Sequence, residues 1–132
     1  MSPAYERFLI RTYPTIYQNL ESFCPGGERF GCGDGWYSIV EGLSRQLEAI
    51  ATAGGLNRFS VMQVREKLAA LRVYFDRPAP EAAIKLVEAA IERSRVTCEL
   101  CSAPGRPRRY REGWSKTLCE SCAMQAQTKA RA

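Results

Sequence analysis

Apolar residues recur along this chain in two rhythms, and the changes of rhythm mark out its elements. Trp36, Ile39, Val40, Leu43, Leu47 and Ile50 follow one another at three- and four-residue steps. That spacing lines them along one face of an amphipathic helix, with Asp34 placed to cap its start and Gly54-Gly55 to end it. Tyr5, Phe8, Leu9 and Tyr13 repeat the helical step nearer the N-terminus, behind Ser2 as N-cap and Pro3 at the first helical position. Pro14 interrupts, and "TIYQNLESF" supplies a further turn or two. Another helix opens at Pro80, carries Ile84, Val87 and Ile91 on one face, and runs through residues 93–95 toward Cys98.

Residues 59–76, "FSVMQVREKLAALRVYFD", break that rhythm. Val61, Val64, Leu68 and Leu71 suit a helix, but β-branched and aromatic residues gather at both ends. The segment is therefore predicted as two short antiparallel strands joined by a turn or brief helix. Residues 24–35, "CPGGERFGCGDG", hold five of the ten glycines, and such a segment is expected to be a loop that seats Trp36 in the core. The aromatic run Tyr5, Phe8, Tyr13, Tyr17 and Phe23 is expected in the core rather than at an interface. The predicted fold class is α+β. A mostly helical body with a short antiparallel hairpin, residues 1–96, precedes a C-terminal unit, residues 97–132.

That second unit carries the recognisable chemistry. Cys98 and Cys101 are two residues apart, as are Cys119 and Cys122, with 17 residues between the pairs. Two intervening residues form a tight knuckle that aims both sulfurs at one point, and two knuckles supply four thiolates to a tetrahedral ion. The spacing predicts a zinc ribbon with one structural Zn2+, its coordination shell filled and no position left for water. Iron would fit the same cage, and a redox CxxC pair is the plainer alternative, although the βαβ setting of such a pair is missing. Cys24 and Cys32 are expected as free thiols, since only acidic groups such as Asp34 or Glu28 stand near enough in sequence to complete a second site.

Charge sharpens the picture. The 132 residues carry +5 in all. Residues 1–92 hold 10 Lys/Arg against 11 Asp/Glu, and residues 93–132 hold 9 against 3, so the basic excess lies with the cysteine pairs. Between the knuckles stand Arg106, Arg108, Arg109, Arg111 and Lys116, with Tyr110 and Trp114 among them. This composition fits a hand that holds phosphates and stacks a base. It also fits a cushion around four thiolates and Zn2+, whose formal charge is −2, with Trp114 covering a small core.

The chain has no histidine. The usual general base near neutral pH is therefore absent, and with it imidazole-dependent nucleases, triads and deaminases. Carboxylates such as Asp34 and Glu41 form no evident pair, and no GK[ST] follows the glycines, so neither an enzyme nor a phosphate-loop nucleotidase is expected. Neither a secretory leader nor an apolar run near 18 residues is evident, so a cytoplasmic protein without membrane contact is expected.

"CGDGW" at residues 32–36, "QVREKLAALRVYF" at 63–75 and "CELCSAPGR…GWSKTLCESC" at 98–122 occur in this order. In combination they resemble a group of short, largely uncharacterised proteins of bacteriophages and proteobacterial prophages. Two positions depart from that pattern: Cys122 stands where the group often has histidine, and Ala69 where it has glycine, which weakens a tight turn there. The resemblance implies a mobile-element protein in a bacterial cytoplasm. Its expected role is non-catalytic, engaging a host protein or nucleoprotein complex, as an inhibitor of antiviral defence does, anti-CRISPR proteins included. Direct binding of DNA or RNA in a regulatory role is the alternative, and no small-molecule substrate is expected.

Overall fold

The computed structural model describes residues 1–26, 29–55, 58–110 and 114–131, with the side chains of 127–131 left aside. Helix α1 spans Pro3–Thr12, followed by turns and the short helix α2, Leu20–Phe23. Strand β1 is Phe30–Gly31; a 3-10 turn at Asp34–Trp36 leads into α3, Tyr37–Ala53. Strands β2 (Val61–Lys67) and β3 (Ala70–Phe75) form an antiparallel hairpin, and α4 spans Glu81–Ser94. Strands β4 (Arg106–Arg109) and β5 (Ser115–Leu118) make a second hairpin, before α5, Glu120–Arg131. The fold is thus mixed α+β, as the sequence predicted. No helix among the described residues is long and apolar enough to cross a membrane.

The first sheet has the order β1-β2-β3, with β1 parallel to β2. Val64, Leu71 and Val73 face a core shared with Leu9, Ile16, Leu20, Phe30, Trp36, Val40 and Leu47. Its edges are covered. The Phe30 N–H donates to Glu6 Oε2 at 3.0 Å on one side, and the Leu71 N–H to Ser94 Oγ at 3.0 Å on the other.

Several local expectations change. Phe30-Gly31, expected as loop, is a strand, because its backbone pairs in register with Val64 and Arg65. Asp34 does not cap α3; its carboxylate accepts the Ser2 N–H at 2.7 Å, and Trp36 takes the cap position. Ser2 holds the N-cap position of α1 without a side-chain bond. Ile84 faces outward, and α4 buries Ala83, Val87, Ala90 and Ser94 instead. The aromatic run divides: Tyr13 and Tyr17 are core, whereas Tyr5, Phe8 and Phe23 are exposed.

The tight turn doubted on account of Ala69 does form. Leu68 and Ala69 both take positive φ, 54° and 63°, the geometry of a two-residue type I′ turn. Two non-glycine residues in that region cost roughly 1–2 kcal/mol each. Contacts to Ala69 hold the turn: its N–H donates to Glu66 Oε2 at 3.2 Å, and its carbonyl accepts the Thr117 hydroxyl at 2.6 Å.

Candidate metal centre

Each knuckle is shaped by its own backbone. The Cys98 N–H donates to Ala103 O at 2.7 Å and the Ser102 N–H to Cys98 O at 3.0 Å, folding the first around Ser102 at φ 72°. The second sits where β5 gives way to α5. There the Cys122 N–H points at Cys119 Sγ, 3.4 Å away, as helix N-terminal amides do toward a thiolate. The result brings Sγ of Cys98, Cys101, Cys119 and Cys122 all within 4.8 Å of one another. Cys101 Sγ and Cys119 Sγ are 3.6 Å apart. Four sulfurs bound at about 2.3 Å to one tetrahedral ion stand about 3.8 Å apart, so the cluster fits a structural metal site.

The electrostatics ask for a cation. Burial pushes the Cys98 thiol up, but backbone N–H groups of Cys119, Cys101 and Leu100 outweigh it and bring it down to about 7. Cys122 is pushed up to about 12 by burial and by the three neighbouring thiols. Four sulfurs so close cannot all ionise beside one another, and a divalent ion at their centre reverses that penalty. The hydrophobic cluster around them is small: Cys98, Leu118 and Ala123 are buried, with Tyr110, Cys119, Cys122 and Ala126 against them. A cluster this small buries little apolar surface of its own, which suits a unit that a metal would reinforce. Cys32 and Cys24 stand apart from this group. Cys32 is buried, and Cys24 directs its Sγ toward Met62 O at 3.9 Å. Asp34 is tied to Ser2, and Glu28 lies outside the described residues.

The "CGDGW" segment is the seat of the first knuckle. The Gly35 N–H donates to Glu99 O at 2.7 Å, the Gly33 N–H to Glu99 Oε2 at 2.9 Å, and the Ser102 hydroxyl to Gly35 O at 2.7 Å. Trp36 Nε1 donates to Thr97 O at 2.8 Å. A Cβ on Gly33 would lie 2.4 Å from Glu99 O, and one on Gly35 2.2 Å from Cys98 O, so only glycine permits this approach. Sequence reasoning expected the glycines to shape a turn for Trp36; that they receive a segment 66 residues away in sequence had no local signal.

The basic and aromatic residues between the knuckles do not act as one group. Arg106 and Arg109 are exposed, and their side chains make no ion pair or hydrogen bond among the described residues. Arg108 is half-buried and donates its Nε–H to Leu118 O at 3.0 Å. These three arginines, Pro107 and Tyr110 line a recess of about 260 Å³. Tyr110 packs on the small apolar cluster beside the cysteines and meets Trp114 at 4.7 Å between ring centroids; Trp114 is 49% exposed and leaves that cluster to Tyr110. Arg111 lies outside the described residues.

Lys116 turns away from solvent. Its ammonium sits 2.5 Å from Glu66 Oε1 and 3.4 Å from Glu99 Oε1. Burial works against its charge, but the two carboxylates prevail and hold its pKa above the ordinary lysine value. Glu99 is itself raised by burial, with Lys116 and the Gly33 N–H pulling the other way. Lys116 therefore joins the metal unit to the β2–β3 hairpin. No family model, curated protein or solved structure matches this chain.

Proposed function

We propose that this is a non-catalytic, zinc-stabilised binding protein that engages nucleic acid, free or within a nucleoprotein complex, through strand β4. Zn2+ is the ion of choice for four thiolates in a closed tetrahedral shell, and its part is to fold residues 97–132 against the body. The observation that carries the reading is the recess lined by Arg106, Arg108 and Arg109, two of these arginines having no ion-pair partner among the described residues. A cushion for the metal would turn its cations toward the thiolates, whereas Arg106 and Arg109 face solvent. Trp114, exposed beside Tyr110, offers a ring for stacking.

A salt titration of zinc-loaded protein against fluorescent random-sequence DNA and RNA tests this. Binding should weaken steeply with salt, and Arg106→Ala with Arg109→Ala should lower the slope of log K on log salt by about two. An unchanged slope sinks the proposal.

A protein partner is the second reading, favoured by an aromatic patch on the body. Tyr5 stacks on Tyr37 at 4.0 Å and Phe8 meets the same ring edge-on at 6.4 Å, with Phe8 47% exposed. Inhibition of a host defence complex remains a proposal resting on the sequence resemblance. Affinity capture from a bacterial host, compared with a Tyr5→Ala, Phe8→Ala variant, tests it; equal recovery of any partner by both proteins removes the patch from consideration.

A further inference from the structure

The outward face of the first sheet holds a cluster that the metal centre does not explain. Arg65 on β2 stands directly opposite Arg72 on β3, and the next outward pair along the hairpin is Gln63 opposite Tyr74. Like charges directly opposed across two strands repel, whereas an opposite-charge pair at such a position stabilises the sheet. Among the described residues neither arginine has an ion pair. Arg65 Nε is buried and has no hydrogen-bond partner. A guanidinium N–H withdrawn from water with nothing to receive it marks a position where an acceptor belongs.

The neighbouring positions on this face are small, polar, basic or aromatic. On the third strand the register position beside Arg65 is Gly31, so no side chain stands on that flank, and a Cβ there would press on Arg65 Cβ at 3.2 Å. Lys67, exposed, lies on the same face two residues beyond Arg65. On the other side Tyr74 is 39% exposed, with Gln63 across from it. Two residues along a strand are roughly 7 Å, comparable with the reach from the phosphate of a nucleotide to its base.

We propose that Arg65 and Arg72, both half-buried, form a phosphate-binding site on the outward sheet face, and that Tyr74 stacks the base of the nucleotide carrying that phosphate. Paired guanidinium forks suit a tetrahedral oxyanion, and an anion seated between them turns their repulsion into attraction. The nucleotide is a free mononucleotide or one unit of a single strand. The site is separate from strand β4 and does not rest on the reading of the ribbon arginines.

The test uses full-length, zinc-loaded protein carrying Arg106→Ala and Arg109→Ala, so that strand β4 contributes little. The Nε–Hε resonances of Arg65 and Arg72 are followed by NMR during titration with inorganic phosphate, AMP and a thymidine octanucleotide. Both resonances should move, and AMP should bind at least roughly five-fold tighter than phosphate, the low end of what stacking one base contributes. Tyr74→Ala should remove that difference and leave phosphate binding in place. Movement with AMP but not with the octanucleotide identifies a free nucleotide; tighter binding of the octanucleotide identifies a strand. Resonances that stay still with all three ligands overturn the site, and this reading needs no variant at the arginines. Movement with phosphate but no preference for AMP overturns the stacking role. Arg72→Gln gives a second check: without ligand it should melt no lower than the parent, and a lower melting temperature with phosphate affinity intact would make the pair structural.

Discussion

Replacing Gly35 by alanine should do more damage than any other single methyl group added to this chain. A Cβ at that position would lie 2.2 Å from Cys98 O, 2.5 Å from the Glu99 carbonyl carbon and 2.6 Å from Glu99 O. All three are backbone atoms, so no side chain can swing aside. Relief requires the first knuckle to lift from its seat, and the 2.7 Å bond from the Gly35 N–H to Glu99 O is lost with it. Overpacking of this kind costs about 1–3 kcal/mol, and the hydrogen bond about 1 kcal/mol more. Melting entropy of about 2.1 cal/mol/K per residue then converts about 2–4 kcal/mol into a drop in melting temperature of roughly 7–14 °C for a chain of this length. Thermal melts of zinc-loaded Gly35→Ala and Gly42→Ala proteins, followed by circular dichroism, make the comparison. Gly42 lies within α3 with nothing within 4 Å of an added Cβ, so its replacement should be neutral or stabilising by up to about 1 kcal/mol. If Gly35→Ala melts with the wild type, the glycines are not the seat of the knuckle and the account of the "CGDGW" segment is wrong.

Three further outcomes are expected. Cys98→Ser with Cys119→Ser should reduce bound zinc, measured by elemental analysis, from one per chain to none and abolish protection of amides in residues 97–126; a retained equivalent of zinc would refute the ligand assignment. Lys116→Met removes the ammonium between Glu66 and Glu99 and should cost about 2–3 kcal/mol, toward the low side for orphaning a buried charge because Lys116 keeps some water. Adding Glu99→Gln should restore part of that loss in a urea melt, and a single variant as stable as wild type would show the pair to be idle. Alkali should destabilise the protein through Cys32, whose folded-state pKa is raised from 9.0 to about 12 by burial, and through Tyr17, also raised by burial. With folded values above unfolded ones, their contribution is complete below about pH 9 and is lost as pH rises, at about 1.4 kcal/mol per unit for each group. Melting temperature should therefore fall above about pH 9, less steeply in Cys32→Ala; parallel curves for the two proteins would contradict this.

Much of the fold could be read from the amino-acid pattern because it is local. The α3 face, its end at Gly54-Gly55, the β2–β3 hairpin and the two knuckles depend on residues a few positions apart. What was missed depends on distant partners. Phe30-Gly31 is a strand only because Val64 and Arg65 lie beside it, and the turn at Leu68-Ala69 survives without glycine only because of the bonds that Ala69 makes. Lys116 looks like one more cation in a basic loop until Glu66 and Glu99 are in view. The opposition of Arg65 and Arg72 needed the register, which a one-residue slip would have abolished. Helix α5 and its part in presenting Cys122 had a faint signal, Glu120 at the first turn, beside the more prominent basic residues.

The turn at Leu68-Ala69 gives the body a gauge for events at the cysteines. Its backbone is held in an unfavourable region partly by a hydroxyl from β5, the strand that ends one residue before Cys119. Whatever loosens that strand slackens the turn, and the Ala69 amide proton then exchanges with solvent faster. Hydrogen exchange at this one amide, in a segment without any ligand, would read the occupancy of the metal centre from outside it.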